Sequence, residues 1–265
     1  MNRWIRAFPE ALYKRTLHAV FPPRCAICDD CVTPAQHGIC AACRAQLRVL
    51  TGPSCFRCGR MLPPSEAGAE YCADCMSQEH FYDRCYALFA YRDVAKSLYR
   101  FKYMGRQEYA AFYAEVFVRR YRKMLSSLCT DALIPVPLSR KRQRERGYNQ
   151  AERFAREIGK RTGIPVRTDL LERIRDTRPQ KCLDYYERRN NLKNAFIMKK
   201  NDVSLKSVAI VDDIYTTGST ADALASLLKR NGVRSVSVFT VATGTDAPVR
   251  KNRERTGVSS KGNRR

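Results

Sequence analysis

Residues 208–220 read Val208-Ala-Ile-Val-Asp212-Asp213-Ile-Tyr-Thr216-Thr217-Gly218-Ser219-Thr220. The first four form an apolar run suited to a buried strand, and Ser207–Val211 is read as that strand. Two carboxylates follow, then a turn of small hydroxyl residues around one glycine. Beyond the turn, Ala221, Leu224, Ala225 and Leu228 share one face of a helix that Gly232 stops. Ser235–Ala242 is a second apolar run. Strand, turn, helix and strand in about 35 residues make a βαβ unit. Strands that are apolar throughout, rather than alternating, indicate a parallel sheet covered on both faces. The expectation is an α/β domain over roughly residues 81–245.

The turn has a chemical reading. A helix N-terminus presents free N–H groups and the positive end of its dipole, which suits a phosphate. The Thr and Ser hydroxyls add donors, and Gly218 lets the backbone close around the anion. Carboxylates repel phosphate, so Asp212 and Asp213 must serve hydroxyls or a cation. They stand at the carboxyl end of a strand, where open α/β sheets bind ligands. A sugar phosphate satisfies both halves. A plain strand–turn–helix joint would need one capping residue, not seven.

This stretch resembles the 5-phosphoribosyl 1-diphosphate (PRPP) motif of type I phosphoribosyltransferases, and every position conforms. The resemblance implies that Asp212 and Asp213 engage the ribose hydroxyls, directly or through Mg²⁺. It implies that Thr216, Thr217, Gly218, Ser219 and Thr220 hold the 5′-phosphate.

Upstream, residues 93–104 and 108–126 read as helices, and Ala132–Pro137 as a buried strand that its prolines end. Asn149 is placed to cap a helix in which Ala151, Phe154, Ala155 and Ile158 share a face and which Gly163 ends. Between strand and helix lies Ser139-Arg-Lys-Arg-Gln-Arg-Glu-Arg146, read as a loop. Its Arg140, Arg142, Arg144 and Arg146 suit pyrophosphate or a DNA backbone equally, because the guanidinium fork fits phosphate oxygens. Lys102 is assigned to the same role. Tyr99-Arg-Phe-Lys-Tyr103 interleaves aromatics and cations; it suits single-stranded DNA or is a helix end with Phe101 in the core. Residues 175–180 are read as a flap, with Thr177 and Gln180 reaching the ligand.

Eight of the twelve cysteines form four C-x-x-C pairs: Cys25/Cys28, Cys40/Cys43, Cys55/Cys58 and Cys72/Cys75. Each turn sets two thiolates on one knuckle, and two knuckles complete a tetrahedral Cys₄ zinc site. Two structural zinc ions are expected in a double zinc ribbon over residues 21–80. Sequential pairing is simplest, with a cross-braced arrangement as its rival. Cys31, His37 and His80 are alternative ligands or plain loop residues. Closed Cys₄ sites leave no position for metal catalysis.

Lys plus Arg number 49 and Asp plus Glu 26, a net charge of +23. That field calls for a polyanionic partner, with nucleic acid the default. With 44% hydrophobic residues the chain has material for a core. No apolar run reaches the ~20 residues of a membrane span. Residues 1–20, read as a helical segment, are too interrupted by charge for a secretory signal. A cytoplasmic protein is expected. Residues 246–265 hold seven basic and two acidic residues and read as a disordered tail.

Taken with Ile134–Leu138, Arg144–Ala151, Arg175–Gln180, Arg188, Asn191, Ala195, Phe196 and Phe101–Gly105, the cysteine-rich start resembles the ComF family of competence-associated proteins over roughly residues 20–242. That resemblance implies a type I phosphoribosyltransferase-like fold, a mostly parallel sheet flanked by helices, behind zinc ribbons. It also implies the handling of incoming single-stranded DNA in natural transformation, with a helicase or recombination protein as partner. Phosphoribosyl transfer to an acceptor is the alternative; the sequence shows no acceptor-specific feature, and none of His18, His37 and His80 lies near the motif.

Overall fold

The computed structural model describes residues 22–66, 68–175, 195–199 and 204–244. The N-terminal segment 1–20, the tail 246–265, and Thr177 and Gln180 of the expected flap lie outside the described residues.

Four strands form one sheet in the order β1-β6-β5-β2, and every pairing in it is parallel. They are β1 (Arg84–Ala90), β2 (Ala132–Pro135), β5 (Ser207–Tyr215) and β6 (Ser235–Thr243). A small antiparallel pair, β3 (Leu171–Arg173) and β4 (Phe196–Met198), stands apart. Two short helices belong to the cysteine-rich region, α1 (Ala41–Gln46) and α2 (Ala73–Met76). The others are α3 (Tyr91–Tyr103), α4 (Tyr109–Arg120), α5 (Arg122–Ser127), α6 (Arg140–Arg146), α7 (Gln150–Thr162) and α8 (Ser219–Arg230).

Successive side chains on a strand point to opposite faces, and here both faces are dry. Val208 and Ile210 of β5, with Val236 and Val238 of β6, join Leu224, Ala225 and Leu228 of α8 in one core. Ala209 and Val211, with Phe239 and Val241, face the other way onto Leu98, Phe117 and Phe154 of α3, α4 and α7. This two-sided burial is why β5 is apolar from Val208 to Val211, and it leaves even Ser237, Thr240 and Thr243 of β6 buried.

The helix ends follow their signals. Asn149 accepts from the backbone N–H groups of Ala151 and Glu152, and Gly163 takes the left-handed conformation after α7. The basic stretch after β2 differs from expectation: it is the helix α6, not a loop. Ser139 accepts from the Arg142 N–H at its start, and Gly147, at φ 74°, closes it. Arg, Lys, Gln and Glu are all good helix formers, so a cap and a stop sufficed. The strand carrying the two carboxylates also runs on to Tyr215, past the expected end at Val211.

The cysteine-rich region contains a structural repeat at a spacing of 30 residues. Cys25 N–H donates to Asp30 O and Asp29 N–H to Cys25 O; Cys55 N–H donates to Arg60 O and Gly59 N–H to Cys55 O. Pro34–Gln36 and Pro64–Glu66 form matching 3₁₀ turns. The two copies contribute to different cores. Cys25, Ala26, Val32 and Ile39 join the face of α3 and α4, whereas Cys55, Cys58, Leu62 and Cys72 join the face of α8.

Candidate phosphate-binding site and metal knuckles

The cradle forms where β5 ends and α8 begins. Asp212 and Asp213 are the sixth and seventh residues of the strand, and the Asp213 N–H donates to Asp212 Oδ1 at 2.8 Å. Lys102, from the last turn of α3, lies 3.0 Å from Asp213 Oδ2. Asp212 retains some solvent contact, yet protein surrounds its carboxyl. Burial first, then the Asp213 charge beside it, push its pKa up to about 7.

The turn then rises into α8. Gly218 has φ 78° and, lacking a side chain, starts the helix without a side-chain cap; the N-terminus of a helix is where the unpaired N–H ends of its backbone face outward. Only glycine fits there: a Cβ would stand 2.5 Å from Tyr215 Oη, in addition to the strain of positive φ. Thr217 and Ser219 hydroxyls lie 2.9 Å apart. Thr216 is exposed, Thr217 and Thr220 are half-buried, and Gly218 and Ser219 are buried. The arrangement offers backbone and hydroxyl donors on one side and two carboxylates with a cation on the other.

The arginines of α6 divide. Arg146 turns inward, bonding Gln150 Oε1 at 2.9 Å and Tyr103 Oη at 3.2 Å. Gln150 in turn reaches the Lys102 carbonyl at 3.5 Å, so Arg146 belongs to the network behind Lys102. Arg140 lies 3.6 Å from Glu172 on the surface. Arg142 is half-exposed and Arg144 exposed.

Cys25, Cys28, Cys40 and Cys43 form one group of four sulfurs, and Cys55, Cys58, Cys72 and Cys75 a second. Within each group all ligand atoms lie within 4.8 Å of one another. Zinc–sulfur bonds of 2.3 Å in a tetrahedron set the sulfurs about 3.8 Å apart. Cys28 and Cys40 are 3.8 Å apart, and Cys58 and Cys72 are 3.7 Å apart. These are two closed Cys₄ zinc sites with sequential pairing, and the cross-braced alternative is not formed. Cys31 and His37 stand outside both groups.

His80 is not a ligand either, but it stands directly behind one. Its Nε2 is 3.7 Å from Cys75 Sγ, and its Nδ1 is 2.8 Å from Asp222 Oδ2 in the first turn of α8. Asp222 Oδ1 also accepts from the Phe81 N–H at 2.9 Å. Two residues on, the Tyr82 hydroxyl meets that of Tyr215 at 2.7 Å, beneath Gly218. The segment His80–Tyr82 therefore joins the second knuckle to both arms of the cradle. No sequence motif marks it; its partners lie more than 130 residues away. The first knuckle is fastened elsewhere. Asp29, at φ 76°, receives bonds from Arg106 and Tyr109. Burial alone would raise its carboxyl, but the Tyr109 and Arg106 bonds outweigh it and hold the group below the usual carboxylate range.

Fold and site together define an α/β protein with a parallel sheet and flanking helices, joined to a double zinc ribbon. Residues 16–76 match the double zinc ribbon domain family. The chain is 32% identical over 225 residues to competence protein F of Haemophilus influenzae, covering 83% of this chain and 96% of that protein. It is 30% identical over 222 residues to the DNA utilization protein YhgH of Salmonella typhimurium, covering 82% and 96%. It also has a slight structural likeness, at a TM-score of 0.28 and 14% identity, to a purine phosphoribosyltransferase from Pyrococcus horikoshii, over 49% of this chain and 79% of that one. The chain belongs to the competence protein F family. Among the described residues, no helix is long and apolar enough to cross a membrane.

Proposed function

We propose that the protein handles incoming single-stranded DNA in the cytoplasm during natural transformation, and that its cradle binds a phosphorylated ribose such as PRPP. The relatives' names, one a competence protein and one a DNA utilization protein, support the first half. The second half rests on one observation: two carboxylates at a parallel strand's carboxyl end beside an uncapped helix start with a glycine–hydroxyl turn. In this reading Asp212 and Asp213 take the ribose hydroxyls, directly or through Mg²⁺. Residues Thr216 to Thr220 take the 5′-phosphate. Lys102 and Arg146 stand ready for the diphosphate, Arg140, Arg142 and Arg144 for DNA backbone, and Thr177 and Gln180 belong to a flap. A helicase or recombination protein is the expected protein partner.

Isothermal titration with PRPP and Mg²⁺ tests the cradle. Wild-type protein should bind, and the double variant Asp212→Ala/Asp213→Ala should not, while retaining two zinc ions per chain. Equal binding by both removes the assignment. Single-stranded DNA affinity should fall steeply with salt, because phosphate contacts release counterions; a flat salt response removes the DNA half.

One observation favours a second reading, an active transferase. The Asp212 carboxyl, with its pKa near 7, is tuned for proton exchange at neutral pH. The ribose C1–diphosphate bond would break, a bond from C1 to the acceptor nitrogen would form, and the acceptor's proton would leave to a base such as Asp212. Pyrophosphate release with PRPP, Mg²⁺ and the common bases would establish it, and no release with any of them would dismiss it.

A further inference from the structure

The helix α3 has an unusual outer face. Arg92, Lys96, Tyr99 and Tyr103 fall at i, i+4, i+7 and i+11, a single stripe along the helix, and all four are exposed. Val94, Leu98 and Phe101 turn the opposite way into the core. Alternating aromatics and cations in the sequence thus separate in space: Phe101 is fully buried, while Tyr99 and Tyr103 are 59% and 56% exposed. The two exposed rings lie 5.1 Å apart and tilted. The Arg146 guanidinium sits 5.0 Å over the Tyr103 ring and bonds its hydroxyl. The stripe is about 16 Å long at the rise of an α-helix. Arg146 belongs to α6, whose Arg140, Lys141 and Arg144 are exposed.

We propose that this stripe, Arg92 to Tyr103 with Arg146, is the surface on which a DNA single strand lies. Arg92 and Lys96 at one end and Arg146 at the other attract the backbone, and the exposed surfaces of Tyr99 and Tyr103 are where unpaired bases stack. A duplex keeps its bases stacked on each other and would use only the cations. The net charge of +23 supplies the complementarity that an apolar protein partner would not need. Arg146 packs over the Tyr103 ring and bonds its hydroxyl, while Tyr99 stays 59% exposed. Because Lys102 adjoins Tyr103 and pairs with Asp213, the strand passes beside the cradle. The proposal rests on the DNA-handling reading above and adds where the strand lies.

The test uses the full-length, zinc-loaded chain and a fluorescent oligo-dT. Tyr99→Ala/Tyr103→Ala should bind about thirtyfold more weakly, or worse, at a given salt concentration, since two base-stacking contacts are lost. The slope of log affinity against log salt should not change, because no phosphate contact is lost. Tyr99→Phe/Tyr103→Phe should bind like wild type. Affinity of the alanine variant within twofold of wild type would overturn the proposal. So would an equal loss in the phenylalanine variant. Photocrosslinking of wild-type protein to iodouracil-containing DNA needs no variant: crosslinks at Tyr99 and Tyr103 are expected, and crosslinks confined to other elements would refute the surface. If wild-type protein binds no single strand at all, the DNA-handling reading itself fails; if it binds and crosslinks elsewhere, only this surface does.

Discussion

The two zinc knuckles are copies of one local design fastened to the domain by opposite means. Each closes its cysteine turn with a left-handed residue, Asp29 in the first and Gly59 in the second, at φ 76° and 70°. Asp29 spends its side chain on Arg106 and Tyr109. Gly59 has none, and the absence is what permits docking: a Cβ there would come within 2.6 Å of the Cys85 carbonyl on β1. The neighbouring Arg57 carbonyl accepts the Cys85 N–H at 2.7 Å. One copy is thus tied by its Asp29 side chain to the start of α4 and the loop before it, the other by backbone to the sheet and, through His80, to the helix of the cradle. A repeat can keep its metal site while its outer surface is fitted to unrelated neighbours.

That contrast can be broken at several points. The largest effect is expected from removing a zinc ligand. A structural zinc contributes on the order of 10 kcal/mol, comparable with the stability of a whole domain. Cys58 is buried in the second knuckle, so Cys58→Ser should leave no cooperative thermal transition. Cys28 is partly exposed in the first, and Cys28→Ser should leave a soluble chain with one zinc by mass spectrometry and a lowered midpoint. Equal damage from both would mean the knuckles are equivalent.

Next comes Asp222→Ala, which strips the His80 ring and the Phe81 N–H of their buried acceptor. It should cost about 3 kcal/mol and weaken PRPP binding; an unchanged melting curve would show that the link to α8 carries no load. Gly59→Ala should cost about 2 kcal/mol, from left-handed strain and the rigid carbonyl in its path. A chemical-denaturation midpoint equal to wild type would disprove the close approach.

A smaller effect belongs to the cradle that the second knuckle faces. Asp212 keeps its proton in the folded chain to a pH of about 7, whereas an unfolded Asp loses it near 4. The folded state therefore holds more protons between those values, and stability should fall as pH rises through that window and level off above it. Binding of Mg²⁺ with PRPP needs the ionised form, so affinity should rise about tenfold from pH 6 to 8, followed by calorimetry. Asp213→Asn, which removes the neighbouring charge, should move that rise to lower pH; a rise at the same pH would deny the coupling. Smallest is Asp29→Gly, which keeps the left-handed turn and loses the side-chain bonds. About 1 kcal/mol is expected in denaturation, with zinc content unchanged.

What could be read in advance follows the range of each signal. The glycine–hydroxyl turn, the strand before it and the start of the helix after it are contiguous residues, so Val208–Thr220 displays them together. The eight zinc ligands were legible because a C-x-x-C spacing is itself local geometry. The basic stretch 139–146 reads as a loop by its charge, whereas Ser139 and Gly147 supply the cap and the stop of a helix. The 30-residue repeat is a finding of the structure: the like hydrogen bonding behind Cys25 and Cys55 is backbone geometry, and in the sequence only the cysteines mark it. His80, Asp222, Tyr82 and Tyr215 could not be paired from sequence. Their contacts depend on how a sheet brings distant segments together, and no residue type announces that.

His80 ends this chain of dependence with a practical result. Because it stands against a cysteine of the second zinc site and the carboxylate of α8 at once, peroxide damage that ejects the second metal removes a prop from the start of α8 directly. On the proposed function, oxidised preparations would then look folded by circular dichroism yet fail to bind PRPP.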